Sequence, residues 1–190
     1  MAKSKIVLIN GQPGVGKTTL AAKLARDLPM PLMGKDMLKE FFFDQLEVTG
    51  REDSRVLGGA VSEMLYILAE AYLAADKTLI LENAFYAEFA RPRFSDLLEK
   101  YPAECLELYC FTDPMTRRQR FETRIASGER HSGHADTVND HSDEELAERY
   151  APLQIGNMIR VDTTHFGETE YDVLLTKIRA LLEGVEPHAD

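Results

Sequence analysis

The chain has 190 residues, 44% of them hydrophobic and 28% charged, with a formal net charge of −10. That length fits one domain with a sizeable core, and the balance is ordinary for a soluble globular protein. No apolar run approaches the ~20 residues of a membrane span. The first, Ile6-Val7-Leu8-Ile9, stops at Asn10-Gly11, too short for a signal-peptide core. A cytoplasmic location without membrane contact is therefore expected. The negative charge repels nucleic-acid backbone, so it argues against a nucleic-acid partner and for a small molecule.

In chain order, Lys5 to Asn10 reads as a short buried strand running into a Gly-rich turn. Thr18 to Leu28 is helical, with Leu20, Leu24 and Leu28 one turn apart, and Pro29 and Pro31 close it. Leu32-Met33 is a second strand with Asp36 just beyond it, and Met37 to Leu46 a helix. A longer helix spans about Val56 to Ala75, its apolar side marked by Val61, Leu65, Leu68 and Tyr72. Thr78 to Leu81 is a third, wholly apolar strand, of the kind found in parallel sheets. A helix from Arg91 to Lys100 follows, with Pro92 in its first turn. Cys105 to Phe111 is the fourth strand, and its two cysteines, Cys105 and Cys110, should face opposite ways as unpaired thiols. Pro114 to Ser127 is a helix stopped by Gly128. Glu129 to His141 lacks periodicity and reads as a mobile loop. Asp143 to Tyr150 is a helix capped by Ser142, Met158 to Val161 the fifth strand, and Tyr171 to Leu182 the last helix.

This alternation predicts an α/β fold with a parallel sheet covered on both faces. Ligands in such sheets lie beyond the carboxyl ends of the strands. Asn10, Asp36, Glu82 and Asp113 fall there and are candidates for a shared site. Gly11, Gln12, Pro13, Gly14, Val15, Gly16, Lys17 and Thr18 match G-x-x-x-x-G-K-[ST]. The glycines let the backbone curl, so that successive N–H groups point at an anion. The N-terminus of the next helix adds to the attraction. Lys17 is expected to reach the β- and γ-phosphates of a nucleotide and Thr18 to ligate Mg²⁺. With Thr19, these residues form the expected cofactor-binding loop.

From these residues the chain resembles the P-loop kinases of the nucleoside-monophosphate-kinase-like group. It is most similar to the small ATP-dependent kinases around chloramphenicol phosphotransferase, zeta toxin and the polynucleotide 5′-kinase domain. The resemblance runs to about residue 165. It rests on Gly11 to Thr18, Lys35-Asp36, Glu82-Asn83 and the Arg-rich stretch Arg117 to His134. It implies a three-layer P-loop fold with five parallel strands flanked by helices. The domain would cover residues 1–183, with a lid at about 117–141 and a frayed tail at 184–190.

The implied cofactors are ATP and Mg²⁺. The implied catalytic residues are Lys17, Asp36, Arg124 and Arg130. Asp36 would orient the acceptor hydroxyl, a role that can coexist with capping a helix. Glu82 stands where the group carries a carboxylate that holds Mg²⁺ through water, and its extra length leaves open whether it serves metal or acceptor. Arg120 would stack on adenine, while Arg124 and Arg130 clamp the transferring phosphoryl group. Val161 to Thr164 would meet adenine through backbone.

Lys39 reads more as a solvated lysine than as a ligand. Phe41 to Phe43, Tyr66, Phe85, Tyr86 and Phe89 read as core more readily than as an acceptor pocket. Arg91 and Arg93 suit an anionic acceptor and the surface equally. His131, His134 and His141 fit a polar lid better than a metal site. The function this supports is transfer of the γ-phosphoryl group of ATP·Mg to a hydroxyl of a small molecule. The alternatives are a nucleic-acid 5′-hydroxyl kinase and a nucleotide-dependent switch or ATPase that acts with a protein partner. The acceptor's identity and the oligomeric state are not encoded in any motif.

Overall fold

The computed structural model describes residues 3–46, 50–127, 131, 134 and 142–184. In chain order these build β1 (Lys5–Asn10), α1 (Lys17–Asp27), β2 (Leu32–Gly34), α2 (Lys35–Gln45), α3 (Gly50–Ala74) and β3 (Leu79–Glu82). Then come α4 (Ala87–Lys100), β4 (Glu104–Phe111), α5 (Pro114–Ala126), α6 (Asp143–Arg149), β5 (Asn157–Asp162) and α7 (Glu168–Glu183). Arg130, His141 and the tail beyond Gly184 lie outside the described residues.

The strands form one parallel sheet in the order β2-β3-β1-β4-β5. β1 is central, and all six of its residues are buried. Period-two alternation divides them between two cores. Val7 and Ile9 pack with Leu20 and Leu24 of α1 and with Leu174 and Ile178 of α7. Ile6 and Leu8 pack with Leu65, Ala69 and Leu73 of α3 and with Phe94 and Leu97 of α4. Each such fully buried side chain contributes roughly 1.5–3 kcal/mol. The same alternation puts Cys105 in one core and Cys110 in the other. Both are free thiols that burial pushes up to about 12.

Helix ends follow local chemistry. Asp113 caps α5 by accepting from the Thr116 N–H at 2.9 Å, with Pro114 next to it. Ser142 and Glu145 form a reciprocal capping box on α6, at 3.2 and 2.8 Å. Gly184 ends α7 at φ 77°.

Two helices begin a full turn or more before the sequence places them. α3 starts at Gly50, where Glu52 and Asp53 favour a helix N-terminus without any apolar signal. α4 starts at Ala87, so Pro92 lies inside it, and the Glu88 carbonyl forgoes a helical bond. By length and composition α3 is also long and apolar enough to cross a membrane, which the sequence reading did not expect. Its apolar stripe is used against the sheet. Its polar side is tied to α4 through Glu63 with Arg93, and through Glu70 with Lys100 and Tyr101.

Candidate active site

The loop that leaves β1 emerges at the middle of the sheet, where the strand order reverses. Gly14 and Gly16 adopt φ 88° and 84°, left-handed values that other residues reach only under strain. Gly11 has φ 137°, and a Cβ there would stand 2.1 Å from the Cys110 carbonyl oxygen. The start of the loop is thus pressed against β4, and no side chain fits.

Beside the loop lies a cleft of about 690 Å³. Pro13, Gly14, Gly16, Lys17, Thr18 and Thr19 line its floor. Gly11, Gln12 and Val15, predicted with them, do not. Val15 is 2% exposed and its side chain belongs to the core, and the Gln12 carbonyl accepts from Lys17 Nζ at 2.8 Å. Glu82, at the end of β3, reaches the floor with its Oε1 3.4 Å from Thr18 Oγ1. It is 5% exposed and on an inner strand. Room for it comes from Gly34, where a Cβ would stand 3.3 Å from Glu82 Oε2. Burial dominates both charges. It lowers the Lys17 pKa, with Glu82 opposing, and raises that of Glu82, with Lys17 opposing.

One wall comes from α5 and the end of β5. Arg120 Nη2 donates to the carbonyls of Thr163 and Thr164 at 2.8 and 3.3 Å. The Thr163 hydroxyl lies 2.8 Å from the Val15 carbonyl and 3.0 Å from that of Phe111, tying the wall to the loop. Arg124 lines the cleft within the field of Lys17 and Glu82. Arg117, three residues before Arg120 on α5, has another task. It is 8% exposed and binds Asp143 at 2.7 Å, joining α5 to α6.

The other wall comes from α2, α3 and the segment after β3. Asp36 stands in the first turn of α2, beside Lys35. Lys39 is 8% exposed and donates to Ser54 Oγ at 2.7 Å, so it is a buried residue of the cleft and not a solvated lysine. Arg51 of α3 lines the same wall, from a stretch with no recognisable motif. Asn83, Tyr86 and Tyr150 face them, the two tyrosine rings 5.2 Å apart edge to face. His134 closes this end through Glu40 at 2.8 Å, and His131 pairs with Asp44 at 3.0 Å. No group of three or more potential metal ligands occurs among the described residues.

Some predicted candidates stand elsewhere. Phe85 is core, as the sequence reading favours, whereas Asp113 is a helix cap outside the cleft. Arg91 donates to the carbonyls of Leu153 and Pro152 at 2.9 and 3.2 Å, and Arg93 pairs with Glu63. Asn10 belongs to a buried network that no motif announces. Its amide donates to Glu107 Oε1 at 3.0 Å, and its carbonyl accepts from the N–H groups of Gly11 at 2.7 Å and Phe85 at 3.1 Å. Glu107, fully buried on β4, also accepts from the N–H groups of Leu153 and Gln154, both at 2.9 Å. Gln154 has φ 56°, a conformation that this bond helps to hold.

A profile of the AAA domain family matches residues 6–153. A candidate kinase from Chloroflexus aurantiacus j-10-fl is 32% identical. The alignment covers 93% of this chain and 97% of that one, with a TM-score of 0.82. Kti12 of Chaetomium thermophilum, solved with ADP-AlF3, is 16% identical over 93% of this chain and 98% of its own, with a TM-score of 0.65. Mycobacterium tuberculosis APS kinase CysC, solved with AMPPNP and APS, is 18% identical over 96% and 99%, with a TM-score of 0.57. These last two likenesses are of fold. No curated protein matches the sequence significantly.

Proposed function

Because the chain belongs to the AAA domain family matched over residues 6–153 and has the P-loop kinase-like fold, we propose that it transfers the γ-phosphoryl group of ATP·Mg to a hydroxyl of a small-molecule acceptor. The fold and its kinase neighbours support a nucleotide-dependent kinase. The observation that carries the finer reading is the meeting of Lys17, Thr18, Glu82 and Asp36 in one cleft, with a separate wall beyond Asp36 for a second substrate.

The residues present fit a hard, oxygen-binding cation, since the Thr18 hydroxyl and the Glu82 carboxylate lie together on the floor. Thr18 would hold Mg²⁺ directly and Glu82 through water. When bound, the ion neutralises charge on the phosphates. The Gly11 to Thr18 loop offers its N–H groups to the same phosphates, with Lys17 at their β,γ end. Arg120 uses its N–H edge on the two threonine carbonyls, which leaves a planar guanidinium face for stacking on adenine. Arg124, with Arg130 outside the described residues, would neutralise charge on the group in transfer. Asp36 would align the acceptor hydroxyl and take its proton. A loose transition state demands position more than base strength. A cytoplasmic setting suits the two buried thiols, kept apart on opposite faces of the sheet.

The test is ADP release by the purified chain with Mg·ATP, alone and against a panel of hydroxyl-bearing metabolites, nucleosides and 5′-hydroxyl oligonucleotides. The expected result is an acceptor-dependent rate that vanishes in Lys17→Ala. Slow hydrolysis that no acceptor stimulates would instead favour a partner-activated ATPase.

A further inference from the structure

We infer that the acceptor carries an aromatic ring beside its hydroxyl, and that Tyr86, braced by Tyr150, is the platform on which that ring stacks. This rests on the kinase reading and names the substrate class for it.

Tyr86 and Phe89 read from the sequence as core, yet they are 44% and 61% exposed. Their rings stand 6.4 Å apart at the start of α4, with Tyr86 the residue before its first turn. Exposed rings side by side, one of them lining a cleft, mark a surface that binds something. Tyr86 lines the same cleft as Asp36 and enters it from a different wall, after β3 rather than from α2.

The ring is braced from behind. Tyr150, 7% exposed, meets it edge to face at 5.2 Å and 62°. The Arg149 guanidinium stands over it, 5.5 Å from its centre. The Tyr150 hydroxyl is hydrogen-bonded to Tyr86 and to Arg149. The polar tips of this wall are engaged with one another, so what it offers a ligand is ring face. The backbone beneath is fixed as well. Asn10 Oδ1 accepts from the Phe85 N–H at 3.1 Å, and the Tyr86 carbonyl accepts from those of Phe89 and Ala90 at 3.1 and 2.9 Å. The Tyr150 N–H donates to the Leu146 carbonyl at 3.1 Å. A platform set before its ligand arrives loses little to ordering on binding.

A flat ring is the occupant this wall suits. A sugar brings hydroxyls on every side, each needing a partner once it leaves water, and the tyrosine hydroxyls here already bond each other. The faces of an aromatic ring need no such partner. Asn83, 6% exposed in the same cleft, adds a polar group for the ring's edge or for the hydroxyl beside Asp36.

The experiment compares acceptors under saturating Mg·ATP in pairs that differ in aromaticity: benzyl alcohol with cyclohexylmethanol, and uridine with methyl riboside, with glucose as a separate arm. The aromatic members are expected to give a kcat/KM about fivefold or more above their non-aromatic twins, and the two pairs tell an aryl alcohol from a nucleoside. In Tyr86→Leu that preference is expected to fall to about twofold or less while the KM for ATP stays within about twofold. Tyr86→Phe, which keeps the ring and loses the hydroxyl, is expected to retain it. Tyr86 is exposed, so neither variant opens a cavity in the core. Equal kcat/KM for the twins would overturn the proposal, as would glucose as the best acceptor. So would a preference that survives Tyr86→Leu or is lost in Tyr86→Phe. If no acceptor supports turnover, saturation-transfer NMR of benzyl alcohol and uridine with the ADP-loaded protein separates two failures. Ring-proton signals that vanish in Tyr86→Leu and persist in Tyr86→Phe keep the platform and discard the kinase. No transfer, or transfer unchanged in Tyr86→Leu, discards the platform.

Discussion

Lys17 and Glu82 are charges held where water is scarce, and that fixes how activity depends on pH. Burial raises the Glu82 pKa above its ordinary 4.5, so the carboxylate form is lost earlier as pH falls. Burial lowers the Lys17 pKa below its ordinary 10.5, so the ammonium form is lost earlier as pH rises. The pH profile of kcat/KM, which reports the free enzyme, is expected to be a bell narrower on both sides than 4.5 to 10.5. Glu82→Gln should abolish its acid limb and weaken the apparent affinity for Mg²⁺. An acid limb that survives in Glu82→Gln would assign it to another group. For Asp36→Asn, kcat is expected to fall by about 10²-fold or more with ATP affinity unchanged, checked by steady-state turnover and nucleotide titration. The signature Gly11 to Thr18 was legible because each of its positions has a local job. Lys39 was not: its partner Ser54 lies on another helix, and a lysine next to Glu40 reads as a surface charge.

The positioning tasks of α5 separate under mutation. α5 is held at two points: Arg120 grips the end of β5, and Arg117 grips Asp143 of α6. Arg117→Ala should lower stability by about 2 kcal/mol, since it strands half of a partly buried ion pair, with the KM for ATP little changed in the folded fraction. Arg120→Ala should raise the KM for ATP about tenfold at a smaller cost in stability. Denaturant melts and ATP kinetics on both variants check the split, and equal effects on both quantities would dissolve it. The i, i+3, i+7 spacing of Arg117, Arg120 and Arg124 puts them on one face of a helix, but spacing cannot tell which residue faces a protein carboxylate and which the cleft. Pro92 misled for a related reason. A proline five residues into a helix is rare, so the rule that places it at the first turn shortened α4. The strand order also escaped the sequence, because every strand is an apolar run and none carries a mark of its neighbour.

For the molecule as a whole, binding at the cleft must add to stability, since the loop's conformation exists only in the folded state. Mg·ATP at about 100 times its Kd is expected to stabilise the fold by about 2.7 kcal/mol. Thermal melts with and without ligand would read this as a rise in Tm, absent in Lys17→Ala. Glu107→Leu should cost about 3 kcal/mol, because it takes the shorter of two hydrogen bonds from the Asn10 amide and leaves the N–H groups of Leu153 and Gln154 without their acceptor. Nothing in the sequence announced Glu107. A single acidic residue in an apolar strand reads as outward-facing, and its partners are far along the chain.

The network around Glu107 also bears on accuracy. Asn10 holds, through one carbonyl oxygen, both the entrance to the phosphate loop and the Phe85 amide that leads to Tyr86. Glu107 ties Asn10 to the segment that follows Tyr150. The two walls of the cleft are therefore surveyed from a common origin, through bonds of about 3 Å. In-line transfer tolerates an error in approach of well under an ångström. A cleft with walls on separate elements meets that tolerance only if those elements share a datum, and here the datum is one amide and one carboxylate beneath the floor.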